Sequence, residues 1–294
     1  MARLPIGTAI LRRYVLTGAI GQGGVSTVYS AVDARRGRIR AVKVLAPTLA
    51  DDPHARDDVR REALITDRLR HPSVPRVFEY GDAPLPDGTV VPYVVLELLA
   101  GVPLTDLLAR GPLSWPEAVR IAATAADVLA VAHRRGVVHR DLTARNIMIT
   151  ADGIKLIDFG LATEARSIGD TGARPIVLRG SSGRPRLPAH PKTTFARPSD
   201  DVYTLGVLLY EMVTGRSPYP RTTAATIVAA GRVAHLAPTP VLAVAGLPPE
   251  IGHIVRACMA KVPEARPSSA DAALALWDVL DRSGLRHPAQ HAGI

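Results

Sequence analysis

His139-Arg140-Asp141-Leu142-Thr143-Ala144-Arg145-Asn146, followed after a strand–turn–strand pattern by Asp158-Phe159-Gly160, is the stretch on which the fold of this chain is decided. An aspartate with an asparagine shortly after it in one loop can orient an acceptor hydroxyl and take its proton, while the asparagine offers an oxygen to a hard divalent cation. Asp158 adds a second hard ligand, and Gly160 lets the backbone change direction beside it. His139 could imitate a general base, but its expected role is packing and hydrogen bonding beneath the loop. A bare Asp-Phe-Gly means little. In this order, behind His-Arg-Asp and Asn, it is specific.

Upstream, Gly21-Gln22-Gly23-Gly24-Val25-Ser26-Thr27-Val28 leaves one strand-like run and enters another. Glycines permit a sharp turn and let backbone N–H groups approach phosphate oxygens. Alone, the run reads equally well as a structural hairpin, and without a closing Gly-Lys-Ser/Thr it is not a Walker loop. Ala41-Val42-Lys43 then places an ammonium on a strand, and Glu62, in the amphipathic helix that follows, is the best counterion for it. Either charge alone would be an ordinary surface residue; the ordered set makes that reading weak.

The segments between these motifs change character along the chain. Tyr14–Leu16, Val25–Ala34 and Arg38–Leu45 read as strands, then Asp51–Arg70 as a helix with Val59, Ala63, Thr66 and Leu69 on one face. Val74–Tyr80 and Val90–Leu98 read as strands about the turn Pro86-Asp87-Gly88. After Gly101 helices dominate: Leu104–Leu108, Trp115–Arg134 capped by Ser114 with Pro116 in its first turn, Asp201–Thr214, Thr222–Ala230, Pro249–Met259 and Ser268–Leu280. Asn146–Thr150 and Ile154–Ile157 form a short strand pair about Ala151-Asp152-Gly153, and Arg166–Pro198 is a long basic loop.

Composition narrows the classes further. A chain of 294 residues with 47% hydrophobic content can build a sizeable core, and aromatics at 4% leave that core to Ala, Val, Leu and Ile. The net charge of +9 favours acidic partners. Yet the basic residues lack the interleaved aromatics of a stacking platform, so nucleic acid is not an expected partner. Cys258 stands alone, which rules out an intrachain disulfide and fits a reducing, cytoplasmic setting; its apolar surroundings read as core. No signal-peptide pattern opens the chain. Leu205–Val213, the best apolar run, contains Glu211 and is too short to span a bilayer, so no transmembrane segment is expected.

Together GQGGVSTV, AVKVL, Glu62, HRDLTARN, DFG and SDDVYTLG at Ser199–Gly206 resemble the eukaryotic-type protein kinase family, in particular its bacterial serine/threonine branch, from about Tyr14 to Leu280. The resemblance implies an α+β, bilobal kinase fold. A small antiparallel-sheet, nucleotide-binding lobe would occupy 10–98, a larger, mainly helical catalytic and substrate-binding lobe 99–283, and a flexible tail 284–294. It implies ATP with Mg²⁺ (Mn²⁺ as a substitute), a protein substrate and self-phosphorylation. Gly21, Gln22, Gly23, Gly24, Val25 and Ser26 would cover the phosphates. Val28, Ala41 and Met148 would pack on adenine, with Leu96 as gatekeeper and the backbones of Glu97 and Leu99 facing the ring. Lys43 would hold phosphate oxygens, paired with Glu62. Asp141 would serve as base, Asn146 and Asp158 as metal ligands. Asp201 resembles the aspartate that anchors the catalytic-loop backbone, and Arg266 a structural arginine of the larger lobe.

Three departures stand out. Ser26 replaces a glycine of the phosphate loop. Thr143 stands where many serine/threonine kinases carry lysine, with Arg145 as a substitute charge, in an order closer to receptor tyrosine kinases. Gly180–Ala189 resembles the Gly-Thr…Ala-Pro-Glu region but lacks the glutamate that normally pairs with the arginine matching Arg266. Ser181 matches the threonine that bridges to the catalytic aspartate. Thr171 is the preferred regulatory hydroxyl among Thr171, Ser181, Ser182, Thr193 and Thr194, with Arg140 to receive its phosphate. Arg174, Arg179, Arg184, Arg186, Lys192 and Arg197 would attract an acidic substrate. Two other functions stay open: an inactive scaffold or nucleotide sensor, and a small-molecule kinase.

Overall fold

A computed structural model describes residues 3–159, 163–164, 197–219 and 238–285. The chain divides into two compact units, one built on residues 3–101 with 157–159, the other on 102–156, 163–164, 197–219 and 238–285.

The first unit is an antiparallel six-stranded sheet with one helix. Its strands are β1 (Ala9–Ile10), β2 (Tyr14–Gln22), β3 (Ser26–Asp33), β4 (Arg38–Leu45), β5 (Val77–Pro84) and β6 (Val90–Leu96), in the order β1-β2-β3-β4-β6-β5. Helix α1 (Pro53–Leu69) packs on it through Ala55, Val59, Ala63, Thr66 and Leu69, a spacing that keeps one face of a 3.6-residue helix turned inward. Asp52 opens α1 by accepting from the N–H groups of His54 (2.9 Å) and Ala55 (3.3 Å), and Arg70 stops it in the left-handed region at φ 37°. The expected strand from Val74 begins only at Val77, because Pro75 has no N–H for a ladder. β1 is too short to carry a pattern and was not foreseen.

At one end of this sheet lies a polar network. Arg13 donates to both carboxylate oxygens of Asp33 (2.8 and 2.7 Å) and to Glu79 (2.9 Å), which also accepts from the hydroxyls of Tyr14 (2.6 Å) and Tyr93 (2.8 Å). Burial, then the Glu79 carboxylate, pushes the Tyr14 hydroxyl up to about 12. The Arg13 guanidinium holds Asp33 down at about 2. Because that value lies below the one Asp33 has when unfolded, its stabilisation is present above the ordinary carboxylate range and disappears as pH falls through about 2. Acid unfolding followed by circular dichroism should therefore be shallower for Asp33→Asn than for the parent below about pH 4.

The second unit opens with β7 (Gly101–Pro103) and α2 (Leu104–Leu108). It continues through α3 (Trp115–Arg134), β8 (Val137–Val138), β9 (Ile147–Thr150), β10 (Gly153–Leu156), β11 (Thr163–Glu164), α4 (Pro198–Thr214), α5 (Pro249–Cys258) and α6 (Ser269–Arg282). β9 and β10 pair antiparallel beside β7, and β8 pairs with β11. The core is α3, whose alanines let α4 and α6 approach closely; Ala122, Ala125, Ala126 and Leu129 are completely buried. Ser114 stands at the α3 N-cap as expected, but its side chain accepts no bond there. α4 starts three residues earlier than its expected Asp201, because Pro198 fits the first helical turn, where no N–H is required.

Gly206 on α4 marks the tightest approach. A Cβ there would lie 2.8 Å from Cys258 Cβ and 2.8 Å from Met259 Cγ. Gly206→Ala should cost about 1–3 kcal/mol in urea unfolding, since neither neighbour has free space to retreat into. Cys258 itself is buried, and burial pushes its thiol up to about 12, so it is an inert core residue. Gly284 (φ 66°) and Leu285 close α6: the Leu285 N–H donates to Leu280 O at 2.9 Å, and Arg120 holds the Leu285 carbonyl at 3.1 Å. The first two residues of the expected tail are thus part of the helix stop. The remainder of the tail, the Thr222–Ala230 helix, and the basic loop apart from Arg197 and Pro198 lie outside the described residues.

Candidate functional site

In the first unit, β2 and β3 are joined by a tight turn in which the Gly23 N–H donates to Ser26 O at 2.8 Å. Neither Gly21, Gly23 nor Gly24 adopts a positive φ. The sharp turn therefore does not rest on left-handed backbone, and the benefit of glycine here is an uncovered main chain. Ser26 is 2% exposed and closes the turn through its carbonyl. Val25 also uses its carbonyl, accepting from Ala46 at 2.9 Å. Across the strands, Val28 faces Gly21 and Lys43, Gln22 faces Thr27, and Ala41 faces Leu96. Glu97 turns toward the start of β5, its N–H donating to Arg76 O (2.8 Å) and its carboxylate accepting the Arg76 N–H (3.1 Å). Leu99 is half-buried beyond it.

Lys43 on β4 and Glu62 on α1 meet directly. Nζ lies 2.6 Å from both carboxylate oxygens, and 3.7 Å from Asp158 Oδ1. The two side chains are 14% and 12% exposed. Burial by itself would lower the Lys43 pKa, but the Glu62 and Asp158 charges overcome it and hold the ammonium above its usual value. Lys43 is thus a fixed cation. Asp158 keeps a half-exposed carboxylate, and its φ of 64° places it in a backbone region that aspartate tolerates better than most residues.

In the second unit the His139–Asn146 loop is held from below. Asp201, fully buried on α4, accepts from the N–H of His139 (Oδ2, 2.8 Å) and of Arg140 (Oδ1, 2.7 Å). These bonds secure Arg140 at φ 68°, a conformation that costs on its own on the order of 1–3 kcal/mol. Asn146 Nδ2 donates to Asp141 O (2.8 Å) and Oδ2 (3.1 Å), which fixes the aspartate's rotamer. Its Oδ1 is spent in neither bond and is the type of hard oxygen that a small divalent cation takes. Arg145 is exposed on the 3-10 turn Ala144–Asn146, Met148 is half-buried on β9, and the Thr143 hydroxyl is buried without a hydrogen-bond partner among the described residues.

One contributor was not anticipated. His133, near the end of α3, lies 2.8 Å from Asp201 Oδ2 through Nε2 and 2.9 Å from Ser269 Oγ through Nδ1. The carboxylate requires a proton on Nε2, and in the neutral imidazole Nδ1 then accepts from Ser269. The available signal was spacing: His133 falls four residues after Leu129 and seven after Ala126, on the buried side of α3. Arg266, expected to lack a glutamate, is instead satisfied by Ala260 O (2.9 Å), Ser199 O (2.9 Å) and Asp200 (3.4 Å), and lies over the Tyr203 ring at 4.8 Å. Gly160, Thr171, Ser181, Ser182, Thr193, Thr194 and Gly180–Ala189 fall outside the described residues.

Known proteins give the same picture of the chain. It is 34% identical to the serine/threonine-protein kinase PknA of Mycobacterium tuberculosis over 96% of its own length and 64% of that protein's. It is 37% identical to a probable serine/threonine-protein kinase PknB of Corynebacterium glutamicum over 71% of its length and 32% of the other's. The chain therefore spans 32% to 64% of the length of these curated relatives. The crystal structure of the Mycobacterium tuberculosis PknI kinase domain, solved as a point mutant, superposes with a TM-score of 0.65 over 95% of this chain and 99% of that one, at 24% identity. That likeness concerns the fold. A model of the protein kinase domain matches residues 14–277, from the strand before the glycine turn into the last helix, and this chain belongs to that family.

Proposed function

We propose that this chain is a serine/threonine protein kinase catalytic domain, transferring the γ-phosphate of ATP to hydroxyls of proteins, its own included. The observation that carries the reading is the Lys43 ammonium fixed by both oxygens of Glu62 and lying 3.7 Å from the half-exposed Asp158 carboxylate. Residues 10–98 are assigned to nucleotide binding and 99–283 to catalysis and acceptor binding. The main chain of Gly21–Ser26 covers the phosphates, Val28, Ala41, Leu96 and Met148 enclose the base, and the backbones of Glu97 and Leu99 meet its edge. Lys43 draws phosphate oxygens into position. Asn146 and Asp158 would hold Mg²⁺, or Mn²⁺ in its place, which when bound neutralises phosphate charge.

Asp141 orients the acceptor hydroxyl and takes its proton as the oxygen–phosphorus bond forms and the bond to the ADP oxygen breaks. Arg145 supplies positive charge beside that transfer. The names of the relatives support protein acceptors, and the basic segment before α4 favours acidic ones. No helix among the described residues is long and apolar enough to cross a membrane; a cytoplasmic site of action belongs to the same proposal. Purified protein with Mg²⁺ and γ-labelled ATP, alone and with peptide mixtures, should yield phosphoserine and phosphothreonine by mass spectrometry. A chain that binds ATP yet modifies neither itself nor a broad panel is a scaffold.

A further inference from the structure

Away from Lys43 and Asp158, five guanidinium groups gather at one end of the six-stranded sheet. A cavity of about 330 Å³ lies among Arg13, Arg36, Arg40, Arg76 and Phe78 with the carboxylates of Asp33 and Glu79 also in its wall, and a second of about 460 Å³ adds Arg38 while sharing Arg36, Arg40, Arg76 and Phe78. Through these shared residues the two adjoin as one recess. Arg13 is already neutralised by Asp33 and Glu79. Arg36, Arg38, Arg40 and Arg76 make no ion pair among the described residues, so four like charges share the recess.

Rigid strands hold this arrangement in place. Arg38 and Arg40 are on β4, and Arg76 directly precedes β5, which carries Phe78. The Arg40 guanidinium lies 3.9 Å and that of Arg76 5.2 Å from the centre of the Phe78 ring, while the ring also packs against the sheet's apolar core. Stacking on an aromatic restrains the planar forks before any ligand arrives, which lowers the ordering cost of binding. It also sets guanidinium groups over the ring, where they compete with a stacking nucleic-acid base.

Planar guanidinium groups match phosphoryl oxygens two at a time, and one phosphorylated side chain brings roughly −1.5 to −2 charge with three acceptors. Arg13, Asp33 and Glu79 together leave one negative charge, so the four other arginines keep the recess strongly cationic, and neutralising it calls for one such group with acidic neighbours. We propose that the recess formed by Arg36, Arg38, Arg40 and Arg76 docks a phosphorylated, acidic segment of a partner protein. This rests on charge and shape in the sheet unit alone, independently of phosphate transfer.

The test is fluorescence anisotropy of the full chain, without ATP, with a labelled Glu-phosphothreonine-Glu peptide and its unphosphorylated twin. The phosphorylated peptide should bind tighter by roughly tenfold or more, as charge-assisted hydrogen bonds are worth. Arg40→Gln with Arg76→Gln should remove that difference. Since those two pack on Phe78, the exposed pair Arg36→Gln with Arg38→Gln provides a second variant, expected to weaken phosphopeptide binding, to melt like the parent and to phosphorylate an unmodified peptide at the parent's rate. Equal binding of the two peptides, or unchanged affinity in both double variants, overturns the proposal. So does tighter binding of single-stranded RNA or phosphatidylserine vesicles that is lost in the same variants.

Discussion

Lys43→Met should both abolish phosphate transfer and destabilise the protein by about 3 kcal/mol in urea unfolding, because removing one partner strands a buried carboxylate. The destabilisation and the lost activity have different origins, and a second substitution separates them. Glu62 is held by Lys43 at 2.6 Å on both oxygens and is only 12% exposed, so without the lysine its charge faces Asp158 with no cation between. Adding Glu62→Gln to Lys43→Met removes the stranded charge and should recover most of the lost stability. Transfer should stay absent, since no cation then draws on the phosphates. If the two losses of stability simply add, the pair is not coupled and the contact between Lys43 and Glu62 contributes nothing to stability.

Asp141→Asn should reduce transfer by roughly 10²–10⁴-fold while nucleotide affinity and unfolding midpoint stay close to the parent's. The amide retains an oxygen for the Asn146 Nδ2 contact and leaves the backbone carbonyl bond at 2.8 Å untouched, so the loop keeps its shape. What it loses is the capacity to accept a proton. Label-transfer rates beside equilibrium binding of an ATP analogue distinguish the two quantities. Transfer persisting at the parent rate would falsify the role given to Asp141.

Much of this was legible because short-range chemistry dictates it. A strand alternates and a helix repeats every three to four residues, so β3, β4, α1 and α3 could be placed from their apolar spacing. Glu62 was selected as the counterion of Lys43 from its position in an amphipathic helix, and the two meet. What was missed depends on distant parts of the chain. β1 and β7 are two and three residues long and exist only through their neighbours. The start of α4 was placed late because Pro198 reads as loop until its helical turn is seen. His133 reads as one more residue on an alanine-rich helix, and only the arrival of α4 and α6 gives it Asp201 and Ser269 as partners. The substitute partners of Arg266, two carbonyls and Asp200, could not be inferred from a missing glutamate, since carbonyls leave no trace in a sequence.

The chain of bonds from Ser269 through His133 to Asp201 has a practical result for anyone trimming this domain. Shortening the chain before Ser268 would leave every recognisable motif intact, yet it would also remove the hydroxyl that orients the imidazole and the Trp277 indole that donates to Asp127 at 2.8 Å. A fragment cut there keeps all its signature residues and is expected to lose activity for want of α6.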